Sequence, residues 1–450
     1  MKRLVDHFLI EWKNRAERKP LLLRGARQVG KTHAVRMLGK KFDFFLEINL
    51  ESNQLARKII EKDLDVDRIM FQLSEFLEQP IVPGKTLLFF DEIQNVPQAL
   101  IALRYFYEKV PALHVIAAGS LLDFAIEQVG VPVGRVSTLY MYPLSFLEFL
   151  VALGHETWAK SILDLSLIDA MNEAVHEKLV NLVGVYLAIG GMPAAINQWI
   201  RTRGSRDVKI IHSELIYAYE QDFGKYAKKH QIKYLNLLFL KAIEQLAQKF
   251  MYARIGEYQK RELAPALELL EKAGLIYKVM YSAGQGIPLG AQADSNIFKI
   301  VFLDVGLSQA LLKLDIIPWF IEPLNALVNK GQIVEAFVAQ ELLAYSDPIH
   351  KESLFYWNRE NRSSEAEVDY LIQLKEQVVP VGVKAGINKR IKSMHIFLET
   401  HVQSDYGIRF WPGGAAIEKN IYSYPLYAII RPLVQDNPYL YQVARSLLDV

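Results

Sequence analysis

Short apolar runs alternate with amphipathic helical patterns along the first third of the chain. The runs have the length of buried strands, and the stretches between them have the 3.6-residue period of helices. This alternation predicts a parallel sheet with helices on both faces. The predicted strands are Leu21–Leu23, Phe44–Ile48, Thr86–Phe90 and His114–Ala118.

After about residue 150 the pattern becomes helical, with one sharp interruption. Helical periodicity runs from Val151 to Lys229 and is broken at Gly190–Pro193, because Gly and Pro both interrupt helices. Helical elements followed by two strands around a glycine-rich turn then give the outline of a winged helix. These elements are helices at Tyr234–Gln248 and Glu262–Ala273, a short element at Ile255–Tyr258, and strands at Leu275–Tyr281 and Ile297–Leu303.

The last third of the chain predicts a small α/β domain. It begins with a helix at Gly331–Tyr345 and continues with strands at Leu354–Trp357, Glu367–Leu374 and Val378–Lys384. We therefore expect four regions, namely an α/β domain at 1–150, a helical segment at 151–230, a winged helix at 231–305 and a second α/β domain at 306–450.

Composition narrows the class of protein further. The chain has 450 residues, no cysteine, 51% apolar residues and a formal net charge of +2. The apolar fraction excludes a disordered chain, and the balanced charge excludes a uniformly basic nucleic-acid coat. The lack of cysteine excludes disulfides and thiolate metal sites. No apolar run reaches the roughly 20 residues of a membrane helix, so we expect a soluble cytoplasmic protein that does not associate with membranes.

The strongest chemical signal is a complete G-x-x-x-x-G-K-T motif between a predicted strand and a predicted helix. Its glycines let the backbone turn so that N–H groups surround phosphate oxygens, and the helix N-terminus adds a favourable dipole. The lysine reaches the β- and γ-phosphates, and the threonine offers its hydroxyl to Mg²⁺. The motif predicts a site for ATP or ADP with Mg²⁺, formed by Gly25, Ala26, Arg27, Gln28, Val29, Gly30, Lys31 and Thr32.

Two acids, Asp91 and Glu92, directly follow the apolar strand Thr86–Phe90. In a P-loop protein the first acid holds Mg²⁺ and the second polarises the attacking water. We therefore assign Asp91 to the metal together with Thr32, and Glu92 to catalysis. The second acid favours ATP hydrolysis over GTPase chemistry.

Two further polar residues are candidates for the catalytic site. Ser120 follows the strand His114–Ala118, where it either approaches the γ-phosphate or caps the next helix. Arg135 follows Gly134 and is a candidate cation for the transferred phosphate, in its own subunit or in a neighbouring one if the protein oligomerises. An ordinary surface arginine explains Arg135 equally well.

These residues make the chain resemble a bacterial and archaeal family of AAA-type ATPases that carry a C-terminal domain of unknown function. The resemblance implies an α/β P-loop NTPase sheet with helices on both faces, followed by a helical segment, a winged helix and a restriction-endonuclease-like domain of the PD-(D/E)XK type. It implies no settled biological role. The matching stretches are Pro20–Thr32, Leu88–Gln94, Ala118–Leu122, Gly134-Arg135, Tyr142–Phe146, Gly190–Pro193 and Phe302–Leu307.

The last region carries part of a nuclease pattern. Glu335 lies on a predicted helix, Asp369 on a predicted strand, and Lys384 ends the next strand. Metal-dependent cleavage of a phosphodiester needs at least two carboxylates, and a lysine helps the attacking water. These three residues are a candidate degenerate nuclease site.

The pattern departs from that of an active nuclease at one position. An acid is expected two residues before the lysine, where this chain has Gly382. Glu341 or Glu367 would have to substitute for it. We therefore expect a degenerate structural or DNA-docking domain rather than a working nuclease.

The cations of the winged-helix region allow two interpretations. Lys260, Arg261 and Lys272 border its last helix, but acids occupy that helix where a reader of DNA bases would need Arg or Asn. Packing against the ATPase domain therefore competes with DNA binding. The basic run Lys225–His230 fits a solvated helix face or a nucleic-acid site.

Together these features predict a slow ATPase that acts as a molecular switch and couples its nucleotide state to a C-terminal interaction domain. Three other classes stay open. One is an ATP-regulated protein that binds or processes DNA, and another is a regulator that holds a protein partner. The third is a metal-dependent nuclease, which Gly382 disfavours.

Overall fold

The computed structural model describes residues 1–130, 134–168, 171–361, 364–386 and 391–448. Its N-terminal part contains a five-stranded parallel sheet in the order β2-β3-β4-β1-β5. Four strands match the predicted ones, and the short β5, which begins with Ser and Thr, was not predicted. The strands are β1 (Leu21–Arg24), β2 (Phe44–Asn49), β3 (Thr86–Asp91), β4 (His114–Ala118) and β5 (Ser137–Tyr140).

Successive side chains of these strands enter two separate cores, as the pleat of a strand requires. Leu21 and Leu23 pack on one face with the first two helices, whereas Leu22 packs on the other face with the next four. The prediction of helices on both faces is confirmed. The helices are α1 (Leu4–Asn14), α2 (Lys31–Gly39), α3 (Gln54–Lys62), α4 (Val66–Leu77), α5 (Pro97–Lys109) and α6 (Leu122–Val129).

A helical region follows the first sheet. The helix predicted to run to Gln248 ends earlier, because residues 242–245 form a 3-10 turn instead of continuing it. The predicted break at Gly190 separates α9 from α10. The helices are α7 (Phe146–Ala152), α8 (Glu156–Leu163), α9 (Glu173–Ile189), α10 (Pro193–Thr202), α11 (Ser205–Tyr226), α12 (Ile232–Lys241) and α13 (Lys260–Lys272).

The glycines at residues 190–191, between α9 and α10, pack against Asp304, which is more than 100 residues away in the sequence. The fully buried Asp304 accepts a hydrogen bond from the Gly191 N–H at 2.6 Å and another from the Leu307 N–H at 3.0 Å. A Cβ atom at Gly190 would lie 2.0 Å from the Asp304 carboxylate. Gly190–Pro193 and Phe302–Leu307, two of the stretches that carry the family resemblance, therefore contact each other. In this structure they join the helical region to the end of a later strand, Ala293–Phe302, and to the start of the helix that follows it.

An eight-stranded mixed sheet has the order β12-β13-β11-β10-β9-β8-β6-β7. It includes the hairpin predicted as a wing, because β6 pairs in parallel with β8 and Val279 lies beside Leu354. One sheet thus crosses the expected boundary at residue 305, and the winged-helix and nuclease-like assignments stay predictions. The strands are β6 (Ile276–Ser282), β7 (Ala293–Phe302), β8 (Leu354–Asn361), β9 (Ser364–Leu374), β10 (Gln377–Val383), β11 (Gly407–Trp411), β12 (Ala416–Glu418) and β13 (Ile421–Pro425).

Helices surround this second sheet, and the helix predicted at Gly331–Tyr345 is present as α17. Within the described ranges, no single helix is long and apolar enough to cross a membrane. Helices α9 and α10 meet that measure of length and composition only as a pair, bent by 120° at their break. The remaining helices are α14 (Val305–Leu311), α15 (Pro318–Ile321), α16 (Pro323–Asn329), α17 (Gly331–Ala344), α18 (Lys392–Thr400), α19 (Ile430–Asp436) and α20 (Pro438–Ser446).

Candidate functional site

The G-x-x-x-x-G-K-T segment forms a tight loop between β1 and α2. Gly25 has a φ of +141°, and a Cβ atom there would lie 2.2 Å from the Met141 carbonyl oxygen. Gly30 has a φ of +105° and precedes the first residue of α2. Both positions require glycine, since a side chain would be strained at either and would collide at the first. The backbone is therefore shaped as a phosphate-binding loop.

Lys31 begins α2 and folds back over this loop. Its side chain is buried, and Nζ donates to the carbonyl oxygens of Gly25 at 2.9 Å and Ala26 at 2.8 Å. Burial lowers the pKa of Lys31 to about 8, although the nearby carboxylates of Glu92 and Asp91 oppose the shift. An anionic phosphate placed at the loop would restore the full charge of this ammonium group.

Thr32 and Asp91 meet where the carboxyl ends of the parallel strands converge. The Thr32 hydroxyl donates to Asp91 Oδ2 at 3.0 Å. Burial raises the pKa of Asp91, and the hydrogen bond from Thr32 opposes the shift. Two adjacent oxygen ligands of an octahedral Mg²⁺ ion stand about 3.0 Å apart, because each Mg–O distance is about 2.1 Å. The residues present therefore fit Mg²⁺.

Glu92 lies just beyond the end of β3, with a left-handed backbone at φ +51°. It lines a cavity together with Arg27, Gln94 and Ser120. The Gln94 amide donates to Glu92 Oε2 at 2.5 Å. A left-handed glutamate is uncommon, and such residues cluster at functional sites. Sequence reasoning did not single out Gln94, although its position two residues after the acid pair is a usable signal.

Ser120 is brought to this cavity and is buried at the tip of β4. The alternative that it caps the next helix is not seen, because Leu121 is at the N-cap of α6 and no side chain caps that helix. Ser120 is therefore placed where it can contact a group that enters the cavity.

Arg135 is not brought to the phosphate loop of its own chain. Its Nε donates to Glu108 at 3.0 Å, near the end of α5. Helix α5 starts close to the carboxyl end of β3 and is about 20 Å long. The neighbouring Ser137 pairs with Leu21 at the amino end of β1. Arg135 thus lies at the opposite edge of the sheet, and action on a neighbouring subunit stays a prediction.

Helix α11 contacts the phosphate loop directly. Nη1 of Arg27 donates to both carboxylate oxygens of Asp222 at 2.6 Å, and the Tyr219 hydroxyl donates to the Arg27 carbonyl at 2.9 Å. Lys225 continues this network to Glu51 at 2.8 Å. Sequence reasoning missed these contacts, because residues almost 200 positions apart leave no local pattern.

Gly274, just after α13, reaches the same loop from another side. A Cβ atom at this glycine would lie 3.5 Å from Ala26. Elements outside the first sheet and its helices therefore lie close to the phosphate loop, and α11 contacts it directly.

The candidate nuclease residues lie on helix α17 and on or next to strands of the second sheet. Carboxylate oxygens of Glu335, Glu367 and Asp369 lie within 4.8 Å of one another. Lys299 of β7 donates into this group, at 2.8 Å to Glu335 and 2.6 Å to Glu367, and is almost fully buried. Burial lowers the pKa of Lys299, but the three carboxylates outweigh it and the net shift is upward. The Lys299 ammonium group thus pairs with two of the three acids of the cluster. Sequence reasoning did not single out Lys299.

The other nuclease candidates do not complete a metal site. A Cβ atom at Gly382 would lie 2.6 Å from the Met394 sulfur, so an acid there would require Met394 to move. Glu341 instead contacts α7, where its carboxylate accepts a hydrogen bond from the Phe146 N–H at 2.8 Å. Lys384 is half-buried, and its backbone N–H donates to the Phe410 carbonyl. Of the two acids considered as substitutes, only Glu367 joins Glu335 and Asp369.

The phosphate loop, the paired Thr32 and Asp91, and the adjacent Glu92 lie together at one edge of a parallel sheet, in the arrangement expected of a P-loop nucleotide-binding site. Residues 17–150 match the family model of an AAA domain. This region is therefore similar to AAA domains in sequence and has a parallel sheet with helices on both faces. Residues 181–316 and 330–429 match two domains of unknown function, DUF8612 and DUF4143. No curated protein matches the chain.

Similar solved structures include two archaeal proteins and one from a nematode. The Walker-type ATPase PABY2304 of Pyrococcus abyssi has 16% identity and a TM-score of 0.44, covering 68% of this chain and 94% of its own. The Aeropyrum pernix ORC1 protein in complex with DNA has 14% identity and a TM-score of 0.29, covering 69% and 90%. PCH-2 of C. elegans has 15% identity and a TM-score of 0.23, covering 48% and 60%.

Proposed function

We propose that this protein binds ATP, hydrolyses it with Mg²⁺ and uses its nucleotide state to switch the conformation of its C-terminal regions. The observation that carries the proposal is the contact between Thr32 and Asp91 at 3.0 Å, with Glu92 as the next residue. ATP hydrolysis by a P-loop protein needs three groups at one edge of the sheet. They are a hydroxyl of the phosphate loop, an acid that binds the metal, and a second acid that activates water.

Each residue has a separate task in this mechanism. Lys31 and the backbone N–H groups of the loop hold the phosphates, while Thr32 and Asp91 hold Mg²⁺. When bound, Mg²⁺ neutralises charge on the phosphate oxygens. Glu92 accepts a proton from the water that attacks the γ-phosphorus. Ser120 lines the cavity where that water and the γ-phosphate would meet.

Steady-state ATP hydrolysis with Mg²⁺ tests the proposal. We expect Glu92→Gln to bind ATP but to lose at least about a hundredfold in kcat, because an amide cannot accept the proton. We expect Lys31→Ala to lose nucleotide affinity. Wild-type affinity in Lys31→Ala, or wild-type turnover in Glu92→Gln, would contradict the proposal.

A second candidate function is contact with nucleic acid, and the distribution of charge favours it. Residues 225–262 carry nine Lys and Arg but three Asp and Glu, a local net charge of +6 in a chain of net charge +2. Lys233 lies 4.5 Å and 5.4 Å from the ring centroids of Tyr234 and Tyr258, and Lys260 lies 5.9 Å from that of Tyr252. Exposed cations among aromatic rings suit a phosphate backbone and its bases.

The same hydrolysis assay, run with and without duplex DNA, tests this candidate. DNA should raise turnover, less so as salt increases, and Lys233→Glu with Lys260→Glu should abolish the effect. A matched pair, Lys58→Glu with Lys62→Glu, changes the charge equally on exposed positions of α3. If DNA does not change the rate of ATP hydrolysis at low salt, contact with nucleic acid is excluded as a function, and a protein partner is favoured.

A further inference from the structure

Gln94 touches the proposed catalytic acid with a fixed orientation. It lies in the 3-10 turn after β3, and its Nε2 donates to Glu92 Oε2 at 2.5 Å. An ionised carboxylate only accepts hydrogen bonds, so the NH₂ group of the amide must face Glu92. The amide oxygen therefore points away from Glu92.

That oxygen, Gln94 Oε1, points at Gly119 on the tip of β4. It is buried and has no hydrogen-bond partner in the part of the chain that the structure describes. A Cβ atom at Gly119 would lie 2.0 Å from it. The φ of Gly119 is not in the left-handed region, so its backbone does not demand glycine. The Gln94 amide is the nearest group that a side chain at this position would meet, and the Leu122 side chain, 3.0 Å from the same Cβ position, is the next.

A buried acceptor without a hydrogen bond destabilises the folded state, and an unsatisfied group of this kind calls for an explanation. Gln94 and Glu92 line one cavity with Ser120 and Arg27. Within the described residues, Glu92 Oε1 takes part in no hydrogen bond, whereas Oε2 is held by Gln94. One carboxylate oxygen is thus fixed and the other is free to receive a proton.

We propose that Gln94 is a positioning residue for ATP hydrolysis, and that Gly119 serves it by leaving room for its amide. This inference rests on the proposed function. Gln94 holds Oε2 so that Oε1 faces the attacking water. As the water oxygen bonds to the γ-phosphorus, its proton passes to Oε1, the bond to the β-phosphate oxygen breaks, and ADP leaves with that electron pair.

Steady-state kinetics of Gln94→Ala tests the inference. We expect kcat to fall about tenfold to a hundredfold, with the KM for ATP and the binding of a non-hydrolysable ATP analogue changed less than twofold, because only the geometry of the acid is lost. Structural damage would instead weaken binding as well. A Gln94→Glu variant should recover activity as the pH falls, because a protonated carboxyl can again donate to Glu92.

Gly119→Ala supplies a second test that leaves Gln94 itself intact. The added methyl group should displace the amide and lower kcat as Gln94→Ala does. In the double variant Gly119→Ala with Gln94→Ala, the methyl group no longer has an amide to displace. The double variant should therefore match Gln94→Ala within about twofold, since two changes that remove the same contact are not additive.

Three outcomes overturn the inference. Wild-type kcat in Gln94→Ala, beside an inactive Glu92→Gln, would leave the proposed function standing but remove the role of Gln94. A kcat above that of the wild type would mean that the amide restrains Glu92 rather than positions it. Absence of any wild-type turnover would overturn both proposals together.

Discussion

At the scale of single residues, Lys31 is charged in surroundings that disfavour its charge. Its ammonium group is buried, and burial lowers its pKa to about 8. Nucleotide phosphates stabilise the charged form, so binding must return a proton to Lys31 wherever the free protein has lost it. The affinity for nucleotide should therefore depend on pH in the range just above neutrality.

We predict that ATP affinity is constant below about pH 7 and falls as the pH rises through 8. The fall approaches tenfold in Kd per pH unit well above the pKa, as expected for uptake of one proton. Calorimetric titration with a non-hydrolysable analogue between pH 6.5 and 9.5 measures it. The residual binding of Lys31→Ala should show no such slope; an equal slope in that variant would assign the effect to another group.

The phosphate loop could be predicted residue by residue, because its chemistry depends on spacing along the chain. Gly25, Gly30 and Lys31 are close in sequence, and the motif already carries their roles. The other residues of the two candidate sites have partners that are distant in the sequence. The Gln94 amide occupies space next to Gly119, and Glu335 forms an ion pair with Lys299. Neither pairing leaves a periodic pattern in the sequence.

At the scale of elements, Lys299 connects two strands of the second sheet with helix α17. It extends from β7 to Glu335 on α17 and to Glu367 on β9. Burial raises the pKa of Glu335, and the charge of Lys299 opposes the shift. A buried ion pair contributes little over an apolar pair of the same shape, but the loss of one partner leaves a buried charge uncompensated.

We predict that Lys299→Met lowers the free energy of unfolding by about 3–5 kcal/mol, because Glu335 loses its counter-charge. Denaturant unfolding measures it. The control Lys209→Met removes an exposed pair with Asp315 and should change stability by no more than about 1 kcal/mol. A Lys299→Met variant as stable as the control would show that the cluster does not need this cation.

Strands β6 to β10 of the second sheet were predicted from the sequence, but β11, β12 and β13 were not, and neither was the pairing of the strands. Strands β6 and β7 form the hairpin that the glycine-rich turn indicates. The parallel pairing of β6 with β8 joins residues about 75 positions apart, and only tertiary packing selects it. The prediction that α12 extends to Gln248 was wrong for a related reason. Ala247 and Phe250 donate backbone hydrogen bonds to β7, so this part of the chain does not continue the helix.

At the scale of the whole molecule, residues of the helical region that follows the first sheet lie against the phosphate loop. Asp222 and Tyr219 of α11 hold Arg27, and Gly274 after α13 lies close to Ala26. Asp222 is buried, so its pairing with Arg27 is better protected from solvent than an ordinary surface ion pair. A phosphate that drew Arg27 towards itself would compete with Asp222, and we expect this competition to couple nucleotide binding to α11.

The last prediction concerns this coupling. In the Glu92→Gln background, ATP should change the hydrogen exchange of α11 and α12, because Arg27 divides its contacts between phosphate and Asp222. Asp222→Asn weakens the charge that holds Arg27, so the nucleotide-dependent change in α11 and α12 should shrink at least about twofold while ATP still binds. Glu47→Gln is the matched control, since it removes one carboxylate from an exposed pair with Arg36 that does not involve α11. If Asp222→Asn and Glu47→Gln respond to ATP alike, the nucleotide signal leaves the loop by another route, of which the contact of Gly274 with Ala26 is the next to test.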